Sequence, residues 1–159
     1  MILANHHTLV IILILLLSLA GLADALYFTF AYYGRIRHMK WIPEILCARE
    51  GSSCVTVVQT PYARVFGLPN SLLGAVYYAL LIAWVGWGTP VGFAASVGDR
   101  TSIYRIGWLL ITISAATVAL GFYLIYALRR KLHVDCPLCY AGHAINLALF
   151  VLLILNFTP

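Results

Sequence analysis

Apolar residues follow one another almost unbroken in four stretches of the chain, and polar residues are gathered between them. A membrane-spanning helix needs about 20 such residues at a rise of about 1.5 Å each. The first stretch runs from about Thr8 to Tyr33, through "LVIILILLLSLAGLADALYFTFAYY". The second runs from about Ser71 to Trp87, the third from about Ile106 to Leu128, and the fourth from about Cys139 to Phe157. Between them lie a long loop (Gly34 to Asn70), a medium loop (Gly88 to Arg105) and a short one (Arg129 to Asp135). No internal repeat or low-complexity segment interrupts this plan. The pattern predicts an all-α membrane protein, a four-transmembrane-helix bundle forming one domain over residues 1–159, with no room for a soluble catalytic domain.

The first stretch has one competing reading. Leu9 to Leu17 resembles the apolar core of a secretory signal, and Ala23-Asp24-Ala25 mimics a cleavage site. No Lys or Arg precedes it, however, and apolar residues resume at once with "LYFTF". It is therefore expected to remain as a span.

Composition agrees with the pattern. Hydrophobic residues make up 63% of the 159 and charged residues 9%, against roughly 25% charged in soluble domains. A soluble fold of this size has no core able to hide so much apolar surface. The net charge of +5 is spread over short loops, which makes no continuous basic stripe for nucleic acid.

Four spans place the long and short loops on one side of the membrane. Cys47 and Cys54 in the long loop then share a face with Cys136 and Cys139, and the chain has no other cysteine. Thiols so gathered can pack as small hydrophobes, hold zinc, or carry electrons. The six-residue gap in "CAREGSSC" is wider than the two to four residues usual within a zinc half-site. The redox reading suits the local chemistry better. Pro137 fits the first helical position, which makes Cys136 the N-cap and puts Cys139 third in the helix. The positive helix end there favours a thiolate, the reactive form of cysteine. Cys139, slightly deeper, is placed to meet lipid-soluble reactants, and the loop pair, beside Gly51, Ser52 and Ser53, to meet a soluble thiol protein. The acceptor must take two electrons and dissolve in lipid. With no haem-attachment motif, dinucleotide fingerprint or iron–sulfur spacing in the chain, a quinone fits best and no metal is expected.

"CVTVVQTPYARVFGLPNSLLGAVYY", followed far downstream by "CPLCYAGHAIN", resembles the vitamin K epoxide reductase family in its microbial branch. The likeness implies a four-helix bundle around a quinone, of menaquinone, ubiquinone or vitamin K type, with the long loop capping the active site. It implies that Cys136 and Cys139 are the active-site pair, Cys139 engaging the quinone. Cys47 and Cys54 would be the shuttle pair that exchanges with a thioredoxin-like partner. Asn70 matches an asparagine that hydrogen-bonds a quinone carbonyl. Family members active on vitamin K often carry a tyrosine four residues after the second active-site cysteine; here His143 stands there, and an imidazole also donates to a carbonyl oxygen. Many microbial members carry a fused thioredoxin-like domain. This sequence shows none, so the partner is expected to be a separate protein. The function implied is that of a quinone-dependent thiol oxidase that generates disulfides.

Other residues have plainer readings beside these. Asn70 precedes an apolar run and is a good N-cap; His143 also reads as a core histidine. Asn146, on the Cys139 face, reads as an interhelical hydrogen bonder, and Thr60 as a turn residue. Trp41, Ile42 and Tyr62 are apolar enough to hold the long loop at the interface. Asp24 is the one acid inside a span, a functional candidate by default. It supports a rival reading, a small proton-coupled transporter that needs no cysteine. A non-catalytic thiol conduit across the membrane is a third, opposed by the same-side cysteines. Sidedness divides the signals. Of the ten Lys and Arg, eight lie in the long and short loops, and only Arg100 and Arg105 lie opposite. Charge bias thus puts the thiols in the cytoplasm, whereas the family usually presents them to an extracytoplasmic compartment.

Overall fold

In the computed structural model the backbone is described for residues 2–35, 53–65, 67–88 and 100–157, and side chains for 8–35, 56–65, 67–86 and 105–156. Five α-helices lie within these residues. They are α1 (Ile2–Tyr32), α2 (Ser53–Gln59), α3 (Asn70–Gly88), α4 (Arg100–Ala127) and α5 (Pro137–Phe157). A 3₁₀ turn (Pro61–Ala63) and a two-stranded hairpin, β1 (Arg64–Val65) and β2 (Leu68–Pro69), lead from α2 into α3. A π-helical turn, Leu128–Leu132, ends α4.

The long helices form because a chain in lipid must satisfy its backbone polar groups internally. Three segments are long and apolar enough to cross a membrane, Thr8–Tyr32, Arg105–Leu132 and Pro137–Asn156. Their outer faces are as apolar as their inner ones: Leu16 is 57% exposed and Trp108 64%. α3 has 19 residues, about 28 Å of helix, and its described apolar part, Asn70–Gly86, is shorter than those three.

α1 packs against both α3 and α5, and α4 packs against α5. The inner stripe of α1 repeats at three- and four-residue steps through Ile11, Ile14, Ser18, Gly21, Ala25 and Phe28, all buried. Gly21 sits directly under the Tyr78 ring, leaving no space for a Cβ, so a small residue brings α1 and α3 together. One core cluster fills the middle of the bundle, with Ile14, Leu81, Leu149 and Leu153 at its centre. A second lies at the cysteine end, where Phe28 and Ala31 of α1 meet Val57 and Val58 of α2, Leu128 and Cys136.

The expected long loop is therefore partly built. Its second half folds as α2, a turn and the hairpin, held to α1 by Gln59 Nε2 donating to the Tyr32 carbonyl at 3.0 Å. Thr60 acts as the turn residue expected, its hydroxyl donating to the Val57 carbonyl at 2.7 Å. The hairpin turns at Gly67, whose φ of +82° costs a glycine little. Trp41, Ile42 and Cys47 lie outside the described residues.

Candidate functional site

α5 begins at Pro137, where a missing N–H costs nothing and a fixed φ favours the helix. Cys136 precedes it as the cap. Its carbonyl accepts from Tyr140 N at 3.1 Å and its sulfur from Cys139 N at 3.3 Å. The local fold thus turns both sulfurs towards each other. They are joined as a disulfide, with Cα atoms 5.3 Å apart.

The two sulfurs face different surroundings. Cys136 is fully buried in the cluster with Val57 and Val58. Cys139 opens on a cavity of about 120 Å³ lined by four long helices and the α2–hairpin cap, several times the ~10–15 Å³ that one water needs. Cys54 is the second residue of α2, three before Val57, so the backbone brings it to the Cys136 end of the bundle.

Each wall of the cavity has a short periodic stripe. Asp24, Ala25 and Phe28 come from α1; Asn70, Gly74 and Tyr78 from α3; Leu124 and Ala127 from α4. α5 adds Cys139, Gly142, His143 and Asn146, and the cap adds Val57, Val58, Thr60 and Tyr62. The expected site residues Asn70, Cys139 and His143 therefore share one cavity. Asn70 is also the first residue of α3. That helix start is tied to α1 through Thr29, whose hydroxyl donates to the Ala25 carbonyl at 2.8 Å and lies 3.1 Å from Ser71 Oγ.

His143 fits because Gly121 of α4 has no side chain: a Cβ there would stand 2.9 Å from Nδ1. That Nδ1 is buried and has no hydrogen-bond partner among the described residues. Asn146 is the interhelical hydrogen bonder expected, its Oδ1 accepting from the Tyr78 hydroxyl at 2.7 Å. At the rim, Tyr140 donates to Asp135 Oδ1 at 3.0 Å while the Arg129 guanidinium lies over its ring, 5.4 Å from the centroid.

One wall residue is absent from the sequence expectations. Tyr78 was not singled out, although Asn70, Gly74 and Tyr78 repeat every four residues and so share a face. Asp24, the acid expected as a functional candidate inside a span, lines the same cavity as Cys139.

A helical membrane protein whose Cys-x-x-Cys disulfide opens on a mostly apolar cavity among its helices has the form of a membrane thiol oxidoreductase. Residues 12–154 match the Vitamin K epoxide reductase family, and the chain belongs to it. No curated protein matches the sequence.

Proposed function

We propose that this protein is a quinone-dependent thiol oxidase that makes disulfides in a partner. Electrons pass from a separate thioredoxin-like protein to Cys47 and Cys54, then to Cys136 and Cys139, and on to a membrane quinone. The observation that carries this reading is the division between the two sulfurs. Cys136 lies against α2, the helix that includes Cys54, and Cys139 faces the cavity. That division supports exchange with the loop pair at one sulfur and chemistry among the helices at the other. A thiolate at Cys139 is favoured by the positive end of α5.

The residues fit a quinone headgroup of menaquinone, ubiquinone or vitamin K type. The cavity walls are mostly apolar, and the His143 imidazole on α5 is one candidate hydrogen-bond donor. Asn70, in the opposite wall, is the second candidate donor. A bound quinone supplies a two-electron, two-proton acceptor. The chain's own residues orient it, exclude water and deliver reducing equivalents through thiol–disulfide exchange.

We read residues 1–159 as one domain with α3 as a fourth span, its ~28 Å nearly matching a hydrocarbon core of ~30 Å. Residues 34–70 then form the cap over the site. The excess of Lys and Arg in the long and short loops favours a cytoplasmic thiol face.

The test is a purified assay with a reduced thioredoxin-like donor and a menaquinone or ubiquinone analogue, followed by quinone absorbance. Turnover is expected in the native protein and none in the variant with all four cysteines replaced by alanine. Reduction at the native rate by that variant would overturn the reading.

A further inference from the structure

Oxidising a dithiol with a quinone moves protons as well as electrons. Two S–H bonds break and one S–S bond forms between Cys136 and Cys139. Two electrons enter the acceptor, and each of its two oxygens takes a proton. The described walls of the cavity contain a single acidic side chain, Asp24.

Asp24 reaches across from α1 to α5. A Cβ on Gly142 would stand 2.7 Å from its Oδ2, so the carboxylate occupies the space that this glycine leaves open. Gly142 lies three residues after Cys139 and one before His143. The acid thus meets α5 at Gly142, one turn from Cys139. Among the described residues, no cation pairs with this carboxylate and no group donates a hydrogen bond to it. Such an acid at membrane depth is costly, and packing alone would be served by an apolar side chain. The other titratable groups near it are Tyr27 of α1, Tyr62 of the cap, Tyr78 of α3, and Cys139 and His143 of α5. The Tyr78 hydroxyl is already committed to Asn146.

We infer that Asp24 is the proton-transfer residue of quinone reduction. Its carboxylate accepts the proton of the Cys139 thiol and releases it to an acceptor oxygen as the electrons leave. The proton of Cys136 follows the same route once Asp24 is free again. The inference rests on the quinone-reducing function proposed above.

The experiment uses the purified protein with a small dithiol donor and a quinone analogue, comparing Asp24→Asn, Asp24→Glu and Gly142→Ala with the native chain. Asp24→Asn is expected to lower kcat about 100-fold, the usual scale of general acid–base catalysis, with quinone KM changed less than about 3-fold. Asp24→Glu restores part of the rate. Gly142→Ala, which displaces the carboxylate, lowers kcat in the same direction and tests the idea even where Asp24→Asn folds poorly. A second readout needs no quinone: the infrared difference between reduced and oxidised protein should contain a carboxyl band that is lost in Asp24→Asn. An unchanged kcat in folded Asp24→Asn, or no carboxyl band sensitive to thiol state, overturns the inference. A native protein that reduces no quinone yet shows the band defeats the proposed function and leaves proton exchange between Asp24 and the thiols standing.

Discussion

Cys139 takes its chemistry from its position. Third in α5, its N–H is covered by the Cys136 sulfur, and a negative sulfur there gains about 0.3–1 kcal/mol from the helix end. In the proposed mechanism this sulfur is the nucleophile at the cavity, so Cys139→Ala is expected to abolish quinone reduction with either a protein or a small dithiol donor. His143 is a subtler case, because its imidazole lines the same cavity as Cys139. His143→Phe keeps a ring against Gly121 but removes the donor. Quinone KM should then rise about 5- to 10-fold, the equivalent of one hydrogen bond of about 1–1.5 kcal/mol, and steady-state kinetics across quinone concentration would measure it. Both residues were legible in the sequence because one Cys-x-x-Cys at a helix start fixes a register, and His143 follows Cys139 by one turn. Asp24 was not legible in the same way. Its place in the cavity depends on a glycine in another helix, and no spacing along α1 announces that.

At the scale of elements, the long helices were easier to read than the segment that caps them. "CVTVVQ" is rich in β-branched residues, which favour strands, yet it folds as α2 because Val57 and Val58 bury together against α1 and Cys136. Tertiary contact overrides local preference here. The seam between α1 and α3 shows the opposite dependence, on a single missing atom group. Gly21 lies under the Tyr78 ring, and that tyrosine donates to Asn146 of α5, so three helices meet at one glycine. Gly21→Ala overpacks the seam and is expected to destabilise the protein by about 1–3 kcal/mol. Thermal unfolding in detergent should show a lower Tm. Displacement of Tyr78 from the cavity wall should weaken quinone binding in the same variant.

Across the whole molecule, apolar length marked the long helices, three of them long enough to cross a membrane, but not which face of each turns inward. In water a helix marks its inner side by contrast with a polar outer side; in lipid both sides are apolar, and the contrast is lost. The cavity therefore emerges only once α1, α3, α4 and α5 are assembled. Assembly also ties sidedness to the relay. Because α2 packs with Cys136, the helix that includes Cys54 lies at the same end of the bundle as the active-site pair. Replacing Cys47 or Cys54 should block turnover with a protein donor and spare a small dithiol that reaches the inner pair directly, as parallel assays with the two donors would show. The same end carries Arg64, Arg129, Arg130 and Lys131. Positive charge near span ends is retained on the cytoplasmic side, which favours the proposed cytoplasmic thiol face. A membrane-impermeant maleimide applied to intact cells after reduction should then leave Cys47 and Cys54 unlabelled, and permeabilised cells should label fully. Labelling of either cysteine from outside would reverse the assigned orientation and leave the relay between the two pairs untouched, since their shared end does not depend on which compartment it faces.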